Sequence, residues 1–334
     1  MSRLSQLLIP DSQRQSMADL LQAVDLRRGD ALAKRSGFLI MLVLSAVIAV
    51  AGVLSDSTAT VIGAMIIAPL GTPILGVAAG IVTGHRGLVA RSFLWVLMGL
   101  LIVVVIGWVL STFIADPAEL NNNSQITGRT SPQLMDLVAA LATGTAGAFA
   151  MTRRDLSAVL PGVAIAISLV PPLGVVGVCA GQGAWEEALG ALLLFASNVV
   201  SLVIAGSIVF TLAGYAREPG ASRTANRRRA YAVVAVLSVI IVVPLLLNTA
   251  VTLVVTHWTT LIRASTVAWL SGDEDAQVQS ITWTVTTATV DVTTEDGDIP
   301  PLEPLRQDLE AELPSFIEVD VVVSPAVEHV VLPR

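Results

Sequence analysis

The sequence predicts an α-helical polytopic membrane protein with about seven transmembrane helices and a small C-terminal α+β unit. Two of the helices are expected to be broken by proline. The 334 residues are 54% hydrophobic and only 13% charged, whereas soluble domains carry about 25% charged residues. Apolar runs of membrane-spanning length recur along the chain, and the basic residues cluster in alternate loops. Together these observations exclude an ordinary soluble protein.

A polar leader, residues 1–36, precedes the first apolar run. Within it, Leu20, Leu21, Val24 and Leu26 fall at roughly helical spacing. Two interpretations stay open: a short amphipathic helix at the cytoplasmic surface, or a solvated arm that carries positive charge. No secretory signal peptide is recognisable, so we expect the first span to remain as an anchor.

The transmembrane domain is predicted over residues 37–258. Its apolar spans lie at about 37–54, 58–82, 89–114, 134–150, 157–180, 188–214 and 231–256. With the N-terminus in the cytoplasm, seven spans place all but four of the 19 basic residues on the inner side; the exceptions are Arg129, Arg263, Arg306 and Arg334. The positive-inside rule favours this orientation. An even number of spans would instead move the C-terminal segment inside.

The stretch from Ser55 to Gly84 is the segment around which we expect the domain to be organised. Pro69 and Pro73 flank Gly71 in the middle of this span. Each proline removes a backbone donor and clashes with the preceding turn, so the helix should break at membrane depth. Such a break is tolerated only where protein or a water-lined cavity satisfies the backbone. The fifth span contains Pro171 and Pro172 and predicts a second break.

An internal repeat relates these two broken spans. A shift of 98 residues places Pro73-Ile-Leu-Gly-Val77 on Pro171-Pro-Leu-Gly-Val175. The halves would be residues 37–114 and 134–214, with 231–256 as an extra span. Because each half holds three spans, the two halves would have opposite orientations. Inverted 3+3 repeats with paired discontinuous helices occur in secondary transporters, where the breaks form the binding site.

One motif carries a family resemblance. Gly63-Ala-Met-Ile-Ile-Ala-Pro-Leu-Gly-Thr-Pro-Ile-Leu-Gly76, preceded by Ser55-Asp-Ser-Thr-Ala59, resembles the uncharacterised bacterial hydrophobic-domain family numbered 389 among the domains of unknown function. The resemblance covers about residues 31–214. It implies an integral membrane protein of bacterial or archaeal type, and it brings no established reaction or substrate.

The candidate substrate-binding residues lie at the two breaks and in the sixth span. They are Pro69, Gly71, Thr72, Pro73, Ser168, Pro171, Pro172, Gly174 and Asn198. Broken helices expose amides that can bind anions and carbonyls that can bind cations. The alternative is that the prolines only kink helices for packing. Asn198, with Ser197 and Ser201, could bond between helices or contact a solute; Thr143 and Thr145 have the same two interpretations.

Three aspartates lie near the ends of predicted spans. Asp56 is a candidate entrance residue that could gather a cation or proton, but a helix cap requires the same residue type. Asp136 has the same ambiguity. Asp155 could pair with Arg153 or Arg154. Glycines four apart, at Gly76, Gly80 and Gly84 and at Gly177 and Gly181, predict close helix contacts.

The C-terminal unit, residues 259–334, holds 14 acidic and three basic residues. A strand is predicted over 282–292, a helix over 304–313 and a second strand over 316–323. This β-α-β unit is small for an independent core, so we expect additional packing and a homo-oligomer.

We expect a transporter or channel for a small solute or ion. The alternative is a non-transporting scaffold or sensor that presents the acidic unit. No charged residue or histidine lies near the centre of a predicted span, and no catalytic or phosphate-loop motif is present, so we expect neither an enzyme nor a cofactor or metal. The expected partners are membrane lipid, the solute or ion and further copies of the chain, without nucleic acid. The expected location is the bacterial inner (plasma) membrane, with the C-terminus extracytoplasmic.

Overall fold

The computed structural model describes residues 9–10, 12–113, 119–156, 169–217, 226–270, 276–284, 286–294 and 299–325. It is mostly helical and divides into two compact units, residues 1–248 and 249–334. The helices of the first unit are α1 (Met17–Val24), α2 (Ala31–Leu54), α3 (Thr58–Ile67), α4 (Gly71–Thr83), α5 (Arg86–Leu110), α6 (Glu119–Asn122), α7 (Ser124–Thr130), α8 (Leu134–Thr152), α9 (Val170–Gly181) and α10 (Trp185–Leu212). Helix α11 (Asn226–Leu270) contains the division between the units.

Four helices are long and apolar enough to cross a membrane: α2, α5 with the 3₁₀ turn that follows it, α8 and α10. Helices α3 and α4 form a pair bent by 48° that can serve as a fifth span. Helix α9 is apolar but has only 12 residues. These are the helices of a membrane protein. The count of seven stays a prediction, because residues 157–168 of the fifth predicted span lie outside the described residues and the seventh lies within α11.

Glycines set the closest helix contacts in the first unit. A Cβ placed on Gly107 of α5 would lie 2.6 Å from the carbonyl oxygen of Gly174 and 3.0 Å from Cα of Gly177, both in α9. The backbones of α5 and α9 therefore pack directly against each other. At Gly181 a Cβ would collide with Oγ of Ser111, which follows α5. The close contacts predicted from the small residues are confirmed at these positions.

Helices α4 and α10 make the matching contact. A Cβ on Gly206 of α10 would lie 2.9 Å from Cβ of Ala78 and 3.0 Å from Cδ2 of Leu75. Gly206 follows Gly107 by 99 residues, and Ala78 and Leu75 precede Gly177 and Gly174 by the same number. The two contacts thus correspond under one shift, one residue longer than the shift found in the sequence. Each half supplies the partner for the other half's short helix, as a two-fold internal repeat requires.

The first unit has two ends that differ in charge. The basic end contains α1, the turn at Gly84, the end of α8 and the 3₁₀ turn Tyr215–Arg217. Hydrogen bonds join these segments: Arg14 Nε donates to Ala213 O at 2.7 Å, and Gln15 N donates to Thr152 O at 2.8 Å. The end opposite the basic end contains the turn after α2, helix α7 and Gln182. The described basic residues at the basic end are Arg14, Arg27, Arg28, Lys34, Arg35, Arg86, Arg91, Arg153, Arg154 and Arg217. Arg129 lies at the opposite end.

Helix α1 forms the ordered part of the leader. Its N-cap is Ser16, whose Oγ accepts from Asp19 N at 3.1 Å. Leu20, Leu21 and Val24 are buried in an apolar cluster with residues of α4, while Asp19 and Gln22 are exposed. The helical spacing in the leader therefore marks a real helix, and its apolar face covers α4.

The second unit contains a three-stranded sheet in the order β1 (Gln277–Thr284), β2 (Thr287–Thr294), β3 (Glu318–Pro325), with helix α12 (Leu302–Glu312) between β2 and β3. Strands β2 and β3 are parallel, as the predicted β-α-β unit requires. The single strand predicted over 282–292 is wrong, because it is a hairpin in which Thr284 pairs with Thr287. Its threonine-rich turn carries no glycine or asparagine signal. Ile262 and Leu270 of α11 are buried with Val290, so the end of α11 contributes to the core of this unit.

Candidate functional site

The first break separates α3 from α4 and lies where the sequence predicts it. Ala68, the residue before Pro69, is extended at φ −68° and ψ 121°. A proline disfavours the helical conformation in the residue before it, so Ala68 and Pro69 together end α3. Gly71 then starts α4, and the axis has turned by 48°. The prediction of a discontinuous helix at this position is confirmed.

The backbone at this break finds partners inside the protein. Pro69 has no N–H to offer the end of α3. Ser45 of α2, which is fully buried, donates its hydroxyl to Ala64 O of α3 at 2.9 Å. On the other side of the break, Thr72 N donates to Pro69 O at 3.3 Å. Such substitutes allow a helix to be interrupted at membrane depth.

At the second predicted break, the described residues resume at Leu169. Helix α9 begins at Val170, and Pro171 and Pro172 occupy its first turn. Proline is well suited to this position, because the first-turn N–H groups have no partner within the helix. The two prolines therefore start a helix, and they also remove two of the amides that a broken helix would offer to an anion. Ser168 and the rest of residues 157–168 lie outside the described residues.

The first break and the start of α9 lie in one apolar cluster. Leu70 and Ile74 from the first break are buried together with Leu169, Val170 and Leu173 from the start of α9. Helix α10 packs against both α4 and α9, and it adds Phe195 and Leu202 to the cluster. Segments about 100 residues apart in the sequence are thus brought together in the interior of the first unit.

Helices α4 and α9 leave this cluster toward opposite ends. Helix α4 finishes at Thr83, next to His85 and the basic end; the two side chains are joined at 2.9 Å between Oγ1 and Nδ1. Helix α9 finishes at Gly181, and the following Gln182 donates to Ser111 O at 2.6 Å at the opposite end. Both helices therefore start at the same apolar cluster and point away from each other.

Helix α10, which packs against α4 and α9, carries the buried side-chain amide of Asn198. Its exposed fraction is 6%. It lies three residues after Phe195 and four before Leu202, so all three share one helix face. Because Phe195 and Leu202 belong to the cluster that holds both breaks, Asn198 carries a polar group to that face. Around the breaks themselves, Pro73, Pro171, Pro172 and Gly174 are buried, while Pro69, Gly71 and Thr72 are partly exposed.

The hydroxyls expected to bond between helices bond within their own helix. Ser197 Oγ donates to Leu194 O at 2.8 Å, and Ser201 Oγ donates to Ser197 O at 2.7 Å. Thr143 and Thr145 donate to carbonyls three or four residues earlier in α8. Serine and threonine hydroxyls reach the preceding turn of a helix without any neighbour. Sequence reasoning missed Ser45 instead, which does bond to another helix.

Asp56 is not the N-cap of α3, and its role as an entrance residue stays a prediction. The N-cap of α3 is Ser57, whose Oγ accepts from Thr60 N at 3.3 Å. Asp56 Oδ1 accepts from Ser124 Oγ at 2.6 Å and from Gln125 N at 3.1 Å, at the start of α7. The Ser124 hydrogen bond is the main reason that the pKa of Asp56 lies below its usual value. Asp56 adopts the left-handed backbone conformation, with φ +48°. In this conformation its carboxylate reaches α7.

The other two aspartates are also engaged at helix ends. Asp136 Oδ2 accepts from Gln133 N at 2.8 Å in the capping box of α8. Asp155 pairs with Arg153, with 2.6 Å between Oδ2 and Nη2. The same arginine lowers the pKa of Asp155. The sequence had left Arg153 and Arg154 open as partners.

Comparison with known proteins supports the resemblance noted in the sequence. Residues 65–204 match the family described as Domain of unknown function (DUF389), a segment that contains the first break, the start of α9 and Asn198. An uncharacterized protein of Methanocaldococcus jannaschii is 32% identical over 176 residues, which are 53% of this chain and 54% of that protein. The chain thus spans about half the length of this relative. No solved structure matches.

Proposed function

We propose that this protein is a membrane transporter or channel that moves a small solute or ion through a site at the two broken helices. The observation that carries the proposal is the pair α4 and α9, which both start in one buried cluster and run to opposite ends of the unit. In secondary transporters, paired discontinuous helices of inverted repeats meet near the bilayer midplane and bind the substrate there. The matched glycine contacts support the repeat on which this comparison depends.

The chemistry around the breaks favours a small uncharged solute over a bare ion. The surrounding side chains are mostly aliphatic, with Asn198 and Thr72 as the polar groups among the described candidates. A dehydrated cation requires several oxygen ligands, and Pro171 and Pro172 reduce the amides available to an anion. Hydrogen bonds from an amide and a hydroxyl are sufficient to orient a small polar molecule in an apolar site. A non-enzymatic role is part of the proposal.

The proposed location is the bacterial inner membrane, with the basic end in the cytoplasm. The concentration of arginine at that end supports this orientation, because short cytoplasmic loops carry an excess of Lys and Arg. Seven spans would then place the acidic C-terminal unit outside. A homo-oligomer remains part of the proposal, since both edge strands of the small sheet, β1 and β3, have an unpaired side among the described residues.

Transport is tested in proteoliposomes by stopped-flow light scattering, with urea, glycerol and glycine as uncharged probes and K⁺ and Na⁺ flux measured in parallel. The variants are Thr72→Val and Asn198→Leu, alone and combined. We expect wild-type vesicles to be more permeable than empty vesicles to at least one probe, and the double variant to change that rate at least tenfold. Thr145→Val is the matched control, since Thr145 is exposed on α8 and bonds to its own helix.

Two results would contradict transport at the breaks. One is a wild-type permeability equal to that of empty vesicles for every probe. The other is a permeability that Thr72→Val, Asn198→Leu and Thr145→Val leave equally unchanged. Either result counts only if the variants match the wild type in size-exclusion elution and in melting temperature. That match shows that the variants are folded and assembled.

The second candidate function is a scaffold or sensor that presents the acidic unit. It is favoured by the separate core of residues 249–334 and by the excess of acidic residues in the tail. Cells that express the protein without residues 272–334 distinguish the two candidates. A scaffold predicts that this deletion reproduces the null phenotype while Thr72→Val/Asn198→Leu does not, and a transporter predicts the reverse.

A further inference from the structure

We infer that the basic end carries a binding site for a phosphate group, separate from the breaks. A cavity of about 350 Å³ opens between the end of α1 and the start of α5. Its charged or titratable lining residues are Asp25, Arg28, His85, Arg86 and Arg91. Apart from His85, the lining has three guanidinium groups and one carboxylate. A volume of this size is typical of small-ligand pockets.

Asp25 fixes the geometry of the cavity. It is 4% exposed, and its Oδ1 accepts from Arg27 N at 3.0 Å. Its Oδ2 accepts from Arg91 Nη2 at 3.1 Å, and Arg28 Nε lies 3.8 Å away. One carboxylate therefore pairs with two arginines at the same opening, Arg28 in the turn after α1 and Arg91 in α5. The donors of these arginines that do not face Asp25 remain available, because a guanidinium has five N–H groups.

Arg91 has a donor without a protein partner. Its Nε is buried and makes no hydrogen bond among the described residues. Its Nη1 lies 3.3 Å from the position that a Cβ on Gly87 would occupy, so the guanidinium sits over the first turn of α5. That turn has no side-chain cap. Backbone amides at a helix N-terminus and planar guanidinium groups are the two donor types that proteins use for phosphate.

The phosphate could belong to a free phosphorylated molecule or to a lipid headgroup at the membrane surface. Both sources present the same oxygens to the same donors, and basic pockets at the cytoplasmic side of membrane proteins bind headgroups. The two sources differ in one measurable respect. A free anion binds the protein in neutral detergent, whereas a headgroup site is filled only by anionic lipid.

The experiment uses the full-length protein. In neutral detergent, inorganic phosphate is titrated by calorimetry at constant ionic strength. In nanodiscs that contain equal amounts of phosphatidylglycerol and phosphatidylcholine, native mass spectrometry counts the lipids retained. The variants are Arg28→Gln/Arg86→Gln and Gly87→Asp, with Arg27→Gln as the control. Arg27 neighbours Arg28, is exposed and does not line the cavity.

Gly87→Asp keeps the test informative if the double arginine variant folds poorly. Gly87 is exposed in the first turn of α5, and its Cβ would meet only the mobile end of Arg91 within 4 Å. An acidic residue in a first turn stabilises the helix, so this variant should fold well. Its carboxylate nevertheless occupies the cavity and repels phosphate.

Phosphate binding that both variants weaken at least tenfold, and that Arg27→Gln preserves within twofold, supports a site for a free phosphate group. No binding in detergent, combined with preferential retention of phosphatidylglycerol that both variants abolish, supports a headgroup site. Absence of binding in both arms overturns the inference. Binding that Arg27→Gln and Gly87→Asp weaken equally also overturns it, because it would reflect general surface charge.

Discussion

Two buried serines show how the same side chain can serve different purposes in neighbouring helices. Ser45 Oγ donates to Ala64 O across a helix interface, at the end of a helix that Pro69 interrupts. Ser197 Oγ donates to Leu194 O of its own helix. Both side chains are fully buried. Only the first hydroxyl bonds to a carbonyl of another helix, close to the break.

We expect Ser45→Ala to reduce the free energy of unfolding by about 1 kcal/mol, because an acceptor at the break loses its donor. Ser197→Ala is the matched control and should cost less than about 0.5 kcal/mol, since the Leu194 carbonyl lies in a regular helix. The measurement is reversible denaturation of both variants in the same detergent. Equal losses in the two variants would show that the break does not depend on Ser45.

At the level of the helices, the sequence predicts the first break because its cause is local. Pro69 restricts Ala68 and removes its own N–H, and both effects are independent of the rest of the fold. The roles of Asp56 and Ser45 could not be predicted in the same way. Asp56 accepts hydrogen bonds from the start of α7, whose first residue is 68 positions away in the sequence, and Ser45 bonds to another helix. Their partners depend on tertiary packing.

The contact between α5 and α9 gives a prediction at the same level. Gly107→Ala should lower the free energy of unfolding by about 1–3 kcal/mol, because its Cβ would lie 2.6 Å from the Gly174 carbonyl oxygen and backbone cannot move aside cheaply. The control is Gly63→Ala in α3, where no atom lies within 4 Å. That substitution should be neutral or stabilising by up to about 1 kcal/mol, as alanine favours helix.

Unfolding of both glycine variants is measured in one detergent, with the wild type as reference. A neutral Gly107→Ala would mean that α5 and α9 are farther apart than the structure places them. It would also remove the best support for the internal repeat, because the contact of Gly206 with Ala78 is its counterpart.

For the whole molecule, the sequence is informative about composition and less so about boundaries. The change from apolar to acidic residues after Trp258 locates a second unit. Its core includes Ile262 and Leu270, so the helix α11 continues past the predicted boundary into this unit. Trp283 Nε1 donates to Thr259 Oγ1 at 2.8 Å, and Trp258 packs against Trp283 and Phe316. These contacts join the last turns of α11 to the sheet.

Two soluble fragments test where the C-terminal unit begins. Residues 258–334 should melt cooperatively, because they retain the helical segment that covers Val290 and the partners of Trp283. Residues 272–334 should show no cooperative transition, since about 60 residues are marginal for an independent core and two buried aliphatic side chains are lost. Far-ultraviolet circular dichroism during heating distinguishes them. Cooperative melting of both fragments would show that α11 is dispensable to this fold, and failure of both would show that the unit depends on residues before 258.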